Sequence, residues 1–476
     1  RDTAMRGIRT LLLEKNDFAA ATTGASSGMI HGGLRYLTSD VGTTELSCTD
    51  SGYIQKICPH LLFRIPFLAP VFEGAGGRAM IELYEAFFSV YDRYQPLKNG
   101  KPHTRLSRED ALAIEPGLHP KILGAVTMDE YGIDAYRLVV ANAVSAAEAG
   151  AKVLNHTEVT DFLVDAGKVL GVKTRDTLTG ETATWRARIV FNATGPYGPA
   201  FIRKAGARYK LRPAKGVHIT LERRISNVAV TATSIDGRQI FMIPQENTTI
   251  IGTTDDDYYG DLDRIPILED EIEYLLQGME RMMPGIRRHR MVHAWAGVRP
   301  TLYKWGPIED KLSREHEIYD HGERDGVANL FSMAGGKLAS YRVMSEEAAD
   351  LVAKRLGVAA GCATHTSALP GGDETPDARK LAEAHRLHPH AVARMIYRHG
   401  SRAREILEIV RETPRWGRLV SQTEPVTEAE VRYVIRKEWA RTVGDIHRRC
   451  RTGGGAAQGG GSTAVLAQIL GEELEL

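Results

Sequence analysis

Residues 8–37 read IRTLLLEKNDFAAATTGASSGMIHGGLRYL, and the opening of this stretch decides the fold. Ile8 and Thr10–Leu13 form a short apolar strand that ends on an acid, Glu14. Ahead of it, Asp2 to Arg6 reads as the last turn of a helix, with Gly7 as its stop. In a dinucleotide-binding βαβ unit an acidic residue closes the second strand, about 20 residues after a G-x-G-x-x-G turn. Counting back from Glu14 sets that turn before residue 1, so the chain is expected to lack its beginning. A surface glutamate after any buried strand is the plain alternative, and the strand alone does not choose. The following segment tips the balance. Small residues crowd Gly24–Leu37 and let backbone approach a ligand closely, and His31, Arg35 and Tyr36 within it are unusual for an ordinary flexible loop.

Further along, Met80 to Tyr91 (MIELYEAFFSVY) is a helix apolar around much of its circumference. A core helix is the favoured reading and a membrane-surface helix the second. Asp134 caps an amphipathic helix that ends at Gly150. A strand at Val153–Leu154 leads to a meander turned at Thr179-Gly180, which feeds the buried strand Ile189–Asn192 and stops at Gly195. Strand ends of this kind are where α/β sheets place ligands. The segment to about Gly322 mixes strands and helices and contains KGVHIT (215–220), GRQIFMIP (237–244), IIGTTDDD (250–257) and WAGVRP (295–300). Leu330–Met333 is a strand entering AGGKLASYR, which opens a helix ending near Leu356. A Pro/Gly/Thr-rich linker, Gly357–Asp377, precedes a basic helical region with helical periodicity over Ala378–Arg386, His390–Val410 and Thr427–Lys437, interrupted by GGGAAQGGGS at 453–462.

Composition sets limits on the function. The 476 residues suffice for about three domains. With 61 Lys+Arg against 60 Asp+Glu, the net charge of +1 excludes nucleic-acid binding through bulk positive charge. No apolar run approaches the ~18 residues of a membrane span, and no signal peptide is recognisable in RDTAMRG. Cys48, Cys58, Cys362 and Cys450 include no CxxC pair, as expected of free thiols in a reducing compartment. A cytoplasmic protein is expected, with contact to the inner membrane face as an option.

Taken together, LLLEKNDFAAATTGASSGMIHGGLRYL, GAVTMDEYGIDAYRLVVANAVSAAEAGA, IVFNATGPYG, PAKGVHI, IIGTTDDDYYGD, WAGVRP and AGGKLASYR occur in an order and spacing that resembles the FAD-dependent glycerol-3-phosphate dehydrogenases, over nearly the whole chain. The resemblance implies an α/β fold in which a Rossmann-type FAD-binding domain is interleaved with an antiparallel-sheet substrate domain, plus a small helical C-terminal domain. The expected division assigns 1–66, 121–204 and 323–356 to FAD binding, 67–120 and 205–322 to the substrate domain, 357–377 to the linker and 378–476 to the C-terminal domain. The implied reaction oxidises sn-glycerol 3-phosphate to dihydroxyacetone phosphate by hydride transfer to FAD and passes the electrons to quinone or another acceptor. A membrane surface and a homodimer remain further options, and no nucleic acid is implied.

Such chemistry needs a base, a phosphate clamp and positive polarisation of the flavin, while the cofactor carries the hydride chemistry. By this resemblance His218 is the base, since an imidazole with a pKa near 6.5 suits proton transfer near neutrality. Arg299 and Arg35 are the phosphate ligands, because the guanidinium fork matches a phosphate, with Tyr36 as a neutral donor and Arg238 as a further substrate-side cation. Gly335-Gly336-Lys337 would bring a helix N-terminus and a cation to the flavin pyrimidine, with Leu338 beside them. Glu14 would meet the ribose hydroxyls. Thr23, Ser26 and Ser27 would line the phosphates or the ring, with His31, Gly32 and Gly33 next to it. Val159 would meet adenine through its backbone, and Ala193, Thr194 and Gly195 would close over the phosphates. Each of these side chains also has an ordinary reading as solvated surface or satisfied core.

The C-terminal region departs from the anaerobic-type members. Where those hold a two-iron two-sulfur cluster, the ligand positions here fall on Ser421, Thr423, Ala457 and Ser462, and Cys450 lies outside the pattern. Clusters need thiolates, so no metal site is expected. Competing readings are an oxidase of the same fold using oxygen, a dehydrogenase or oxidase acting on a 2-hydroxy acid or amine, and a non-catalytic subunit of this fold.

Overall fold

The computed structural model describes every residue except 35, 36, 38–40, 307–311, 313, 314, 422, 456 and 476. Strand Leu11–Leu13 pairs in parallel with Lys152–Leu154, with Leu12 opposite Val153. Helix Ala135–Glu148, capped by the Asp134 carboxylate on the Arg137 N–H, delivers the chain to that second strand. A three-stranded sheet joins Val190–Asn192, Leu330–Gly335 and His316–Asp320, parallel at the first pairing and antiparallel at the second. The meander Thr157–Asp165, Lys168–Asp176, Thr182–Arg186 packs beside it.

A nine-stranded sheet forms the other half of the structure. Its long strand Leu211–Leu221 lies between Thr248–Gly252 and Met291–Leu302, antiparallel to both. Ala229–Thr233 meets Leu62–Phe72 in parallel and so joins the chain's early and late contributions to one sheet. Helix Glu269–Glu280 buries Leu275 and Met279 against Val217, Ile219 and Met242 on one face. The other face is left for the site.

Sequence periodicity placed most elements, and four details differ. The helix around Met80–Tyr91 begins at Gly77, and only Ile81, Phe88 and Tyr91 of its large apolar residues are buried. Met80 and Leu83 stay 43% and 61% exposed, so a core helix describes one face only. The segment His390–Val410 is broken into Pro389–His399 and Ala403–Glu412 by Gly400, whose backbone takes φ +58 against Gly371. Gly335 and Gly336 take φ +74 and +84, and a 3-10 turn, Leu338–Ser340, separates them from helix Tyr341–Leu356. The α-helix therefore starts later than the motif suggests. Helices Val443–Cys450 and Thr463–Leu474 complete the C-terminal region around a core of Val392, Ile406, Val434, Ile446 and Leu466.

Candidate active site

A cavity of about 2990 Å³ runs between the two halves. Small-molecule pockets are typically about 300–1,000 Å³, so this one has room for an extended cofactor together with a substrate. Glu14 and Val159 line it at one end, Thr23, Ser26, Ser27 and His31 along its length, and Ala193, Thr194 and Gly195 on the side of the parallel strands. Gly335, Gly336, Lys337 and Leu338 reach it from the strand end, and His218, Arg238 and Arg299 from the large sheet. Gly32 and Gly33 do not line it. Gly32 is buried behind the wall, its N–H on Glu130 Oε2 at 3.3 Å, and the Gly33 N–H bonds His31 Nδ1 at 3.0 Å. Arg35 and Tyr36 lie outside the described residues.

At the dinucleotide end, Glu14 follows the parallel strand, and its carboxylate accepts the Asn16 N–H at 2.9 Å. Burial pushes that carboxyl up, against the pull of the Asn16 N–H. Asn192 shapes the opposite turn: its Oδ1 accepts from the Thr194 N–H at 3.0 Å and hydroxyl at 2.6 Å, and its amide reaches Ser332.

The chemistry converges on strand Leu211–Leu221. His218 is 2% exposed, and its ring stacks on Trp295 of the neighbouring strand at 5.0 Å and 5°. That contact follows from the register, which sets His218 opposite Trp295 on one side and Gly252 on the other. A side chain on Gly252 would overlap the imidazole. Nε2 bonds the Ser27 hydroxyl at 2.9 Å, while Nδ1 is buried with no partner among the described residues. Burial, and secondly the charge of Arg299, lowers the His218 pKa to about 3. The imidazole is therefore neutral at physiological pH.

Arg299 extends from strand Met291–Leu302. Its guanidinium bonds Asp255 Oδ1 at 2.8 Å and Thr253 Oγ1 at 3.2 Å, so the fork is oriented in advance. Arg238 reaches the same loop and donates to the Asp255 carbonyl at 2.5 Å. Lys337 donates to the His31 carbonyl at 3.4 Å, tying the strand-end turn to the small-residue segment. Sequence reasoning missed Asp255 and Trp295. Both stand inside recognisable motifs, IIGTTDDD and WAGVRP, but their roles depend on strand register.

A parallel dinucleotide half, an antiparallel sheet presenting a buried imidazole, and one cavity shared between them define a cofactor-dependent oxidoreductase. A family model described as FAD dependent oxidoreductase matches residues 1–351, and one described as the C-terminal domain of alpha-glycerophosphate oxidase matches residues 362–476. The chain is 31% identical to one subunit of the anaerobic glycerol-3-phosphate dehydrogenase of Haemophilus influenzae, over 96% of this chain and 79% of that protein. It is 32% identical to a glycerol-3-phosphate dehydrogenase of a Synechocystis species, over 94% and 85%. A crystal structure of the glycerol-3-phosphate dehydrogenase from Bacillus halodurans complexed with FAD superposes with a TM-score of 0.73 at 26% identity, covering 100% of this chain and 91% of that one. The chain belongs to the FAD-dependent glycerol-3-phosphate dehydrogenase family, and its cofactor is FAD.

Proposed function

We propose that the chain oxidises sn-glycerol 3-phosphate to dihydroxyacetone phosphate and hands the electrons to a quinone. The observation that carries this reading is His218, neutral and bonded at Nε2 to the Ser27 hydroxyl, in one cavity with Arg238, Arg299 and Lys337. FAD, when bound, supplies the hydride acceptor. The chain supplies the rest. In the tautomer that accepts from the Ser27 hydroxyl, His218 Nε2 carries the lone pair that would take the proton of the C2 hydroxyl, directly or through Ser27. Arg299, with Arg238 alongside, fixes the phosphate and so sets the C2 carbon relative to that base. A dianionic phosphate next to Arg299 offsets the charge that helps depress His218, so substrate binding makes the imidazole a stronger base. Lys337 and the Gly335-Gly336 turn polarise the flavin pyrimidine, and Glu14 holds the ribose.

The apolar end of the cavity supports a quinone over oxygen. Leu34, Phe67, Phe87, Phe88 and Met128 line it, and helix Gly77–Tyr91 carries Met80, Leu83 and Val90 to the adjoining surface. None of the described helices is long and apolar enough to cross a membrane; the membrane contact proposed is a surface one, through helix Gly77–Tyr91. Two tests separate the rivals. Arg299→Leu should raise KM for glycerol 3-phosphate by about 10²-fold, the loss expected on removing one partner of a charged contact, and leave slow turnover of glycerol unchanged. An equal loss with both substrates contradicts phosphate recognition. In anaerobic stopped flow, a soluble quinone should reoxidise the reduced flavin faster than oxygen does. The reverse order would identify an oxidase.

A further inference from the structure

The basic C-terminal region carries none of the chemistry described above, yet its best-buried charges close on the dinucleotide half. Asp17, three residues beyond Glu14, is fully buried. Its two oxygens accept from Arg449 Nη1 and Nη2 at 2.7 and 2.8 Å, and Oδ2 also accepts from Arg448 Nε at 2.8 Å. The Asn155 amide bridges Asp17 Oδ1 at 3.1 Å and the Trp439 carbonyl at 2.9 Å, and the Trp439 ring meets Phe18 edge-on at 5.8 Å. One residue further, His156 Nε2 bonds Asp445 Oδ2 at 2.9 Å, and its backbone N–H bonds the Asn16 carbonyl at 2.7 Å. The ligand atoms of Asp17, His156 and Asp445 lie within 4.8 Å of one another, a spacing that suggests a metal. Arginine, histidine and backbone donors reach all four carboxylate oxygens, as expected of an ion-pair network.

We propose that the C-terminal region is a positioning element for the adenosine end of the FAD, acting through the Arg448–Arg449 clamp on Asp17. The argument rests on the proposed role of Glu14 in holding the ribose. The orienting bond of the Glu14 carboxylate is the Asn16 N–H, one residue before the clamped Asp17. The Glu14 carbonyl in turn accepts the Thr157 N–H, beside His156. Two anchors from the C-terminal helices thus fix the loop 14–18 and the turn 155–157. Glu14, Asn16 and Phe18 line the cavity from the first loop, and Thr157 and Val159 from the strand that the turn opens. A clamp of this kind lowers the ordering cost of cofactor binding, which otherwise falls on two free loops.

The test uses the full-length holoenzyme, stripped of FAD and retitrated. Arg449→Met should weaken FAD and ADP binding alike, each by about tenfold, a usual size for coupling between neighbouring sites. Arg449→Lys, which keeps a charge on Asp17, should recover part of the loss. At saturating FAD the rate of flavin reduction by glycerol 3-phosphate should stay within about twofold of the parent. Should Arg449→Met fail to fold, Arg448→Met carries the test, because Asp17 then keeps both bonds from Arg449; a smaller loss of the same pattern is expected. Unchanged FAD and ADP dissociation constants in the folded variants, with only a lower Tm of the apoprotein, would overturn the proposal. A parent protein that binds FAD yet is not reduced by glycerol 3-phosphate would instead overturn the substrate reading and leave the clamp standing.

Discussion

His218 occupies the buried face of a strand, where a histidine is ordinarily tied to polar partners at both nitrogens. Here one nitrogen meets Ser27, the ring lies flat on Trp295, and the other nitrogen is buried with no partner among the described residues. The depressed pKa fixes the sign of a pH dependence. The unfolded chain takes up a proton near pH 6.5 that the folded chain refuses until about pH 3. Stability from this group is therefore present above pH 6.5 and is lost as pH falls toward 3. NMR of the ligand-free protein should accordingly show His218 neutral at pH 5, and Arg299→Leu should move its pKa upward. A charged imidazole at pH 5 would contradict the burial argument. His218→Gln, which keeps polarity but not basicity, should lower kcat by about 10²–10⁴-fold with FAD still bound. The residue type was legible in KGVHIT. The partners were not, because Ser27 lies 191 residues away in sequence.

Among the elements, short motifs marked strand ends well, because Gly-bounded apolar runs have few other readings. Long-range pairing was hidden: nothing local sets Leu211–Leu221 between 248–252 and 291–302, and that register alone brings Trp295 onto His218. In the C-terminal loops, Ser421, Thr423 and the Gly455 N–H all bond the Glu424 carboxylate. Hydrogen bonds to a charged group are worth about 1.5–3 kcal/mol. Glu424→Ala should therefore speed amide exchange across 453–462 by about tenfold or more, and unchanged exchange would deny it a tying role. For the helix Gly77–Tyr91, the sequence showed its apolar content but not which face is covered. Ile81 and Phe88 turn inward and Met80 and Leu83 outward. Leu83→Glu should reduce flotation with anionic liposomes and leave turnover of a soluble quinone intact. Equal flotation of parent and variant would remove this helix from any membrane contact.

At the scale of the whole molecule, two half-sites on different sheets meet over one cavity. The parallel strands after Leu13 and Asn192 present backbone and an acid, which suits an extended dinucleotide; the antiparallel sheet presents an imidazole and two guanidinium groups, which suits a phosphorylated alcohol. The near-neutral net charge gives the surface no bulk attraction for anions, so the phosphate contact proposed here rests on these few arginines. The class of fold was legible from Glu14 and the small-residue segment after it. The clamp between Asp17 and Arg449 was not, because a salt bridge across 432 residues leaves no local pattern. The most direct test of the central claim is the anaerobic absorption spectrum of the full-length holoenzyme on addition of glycerol 3-phosphate. The flavin band should bleach within the turnover time, while lactate at the same concentration should leave it unbleached and glycerol should bleach it far more slowly. A bound flavin that stays oxidised in the presence of glycerol 3-phosphate would contradict the account.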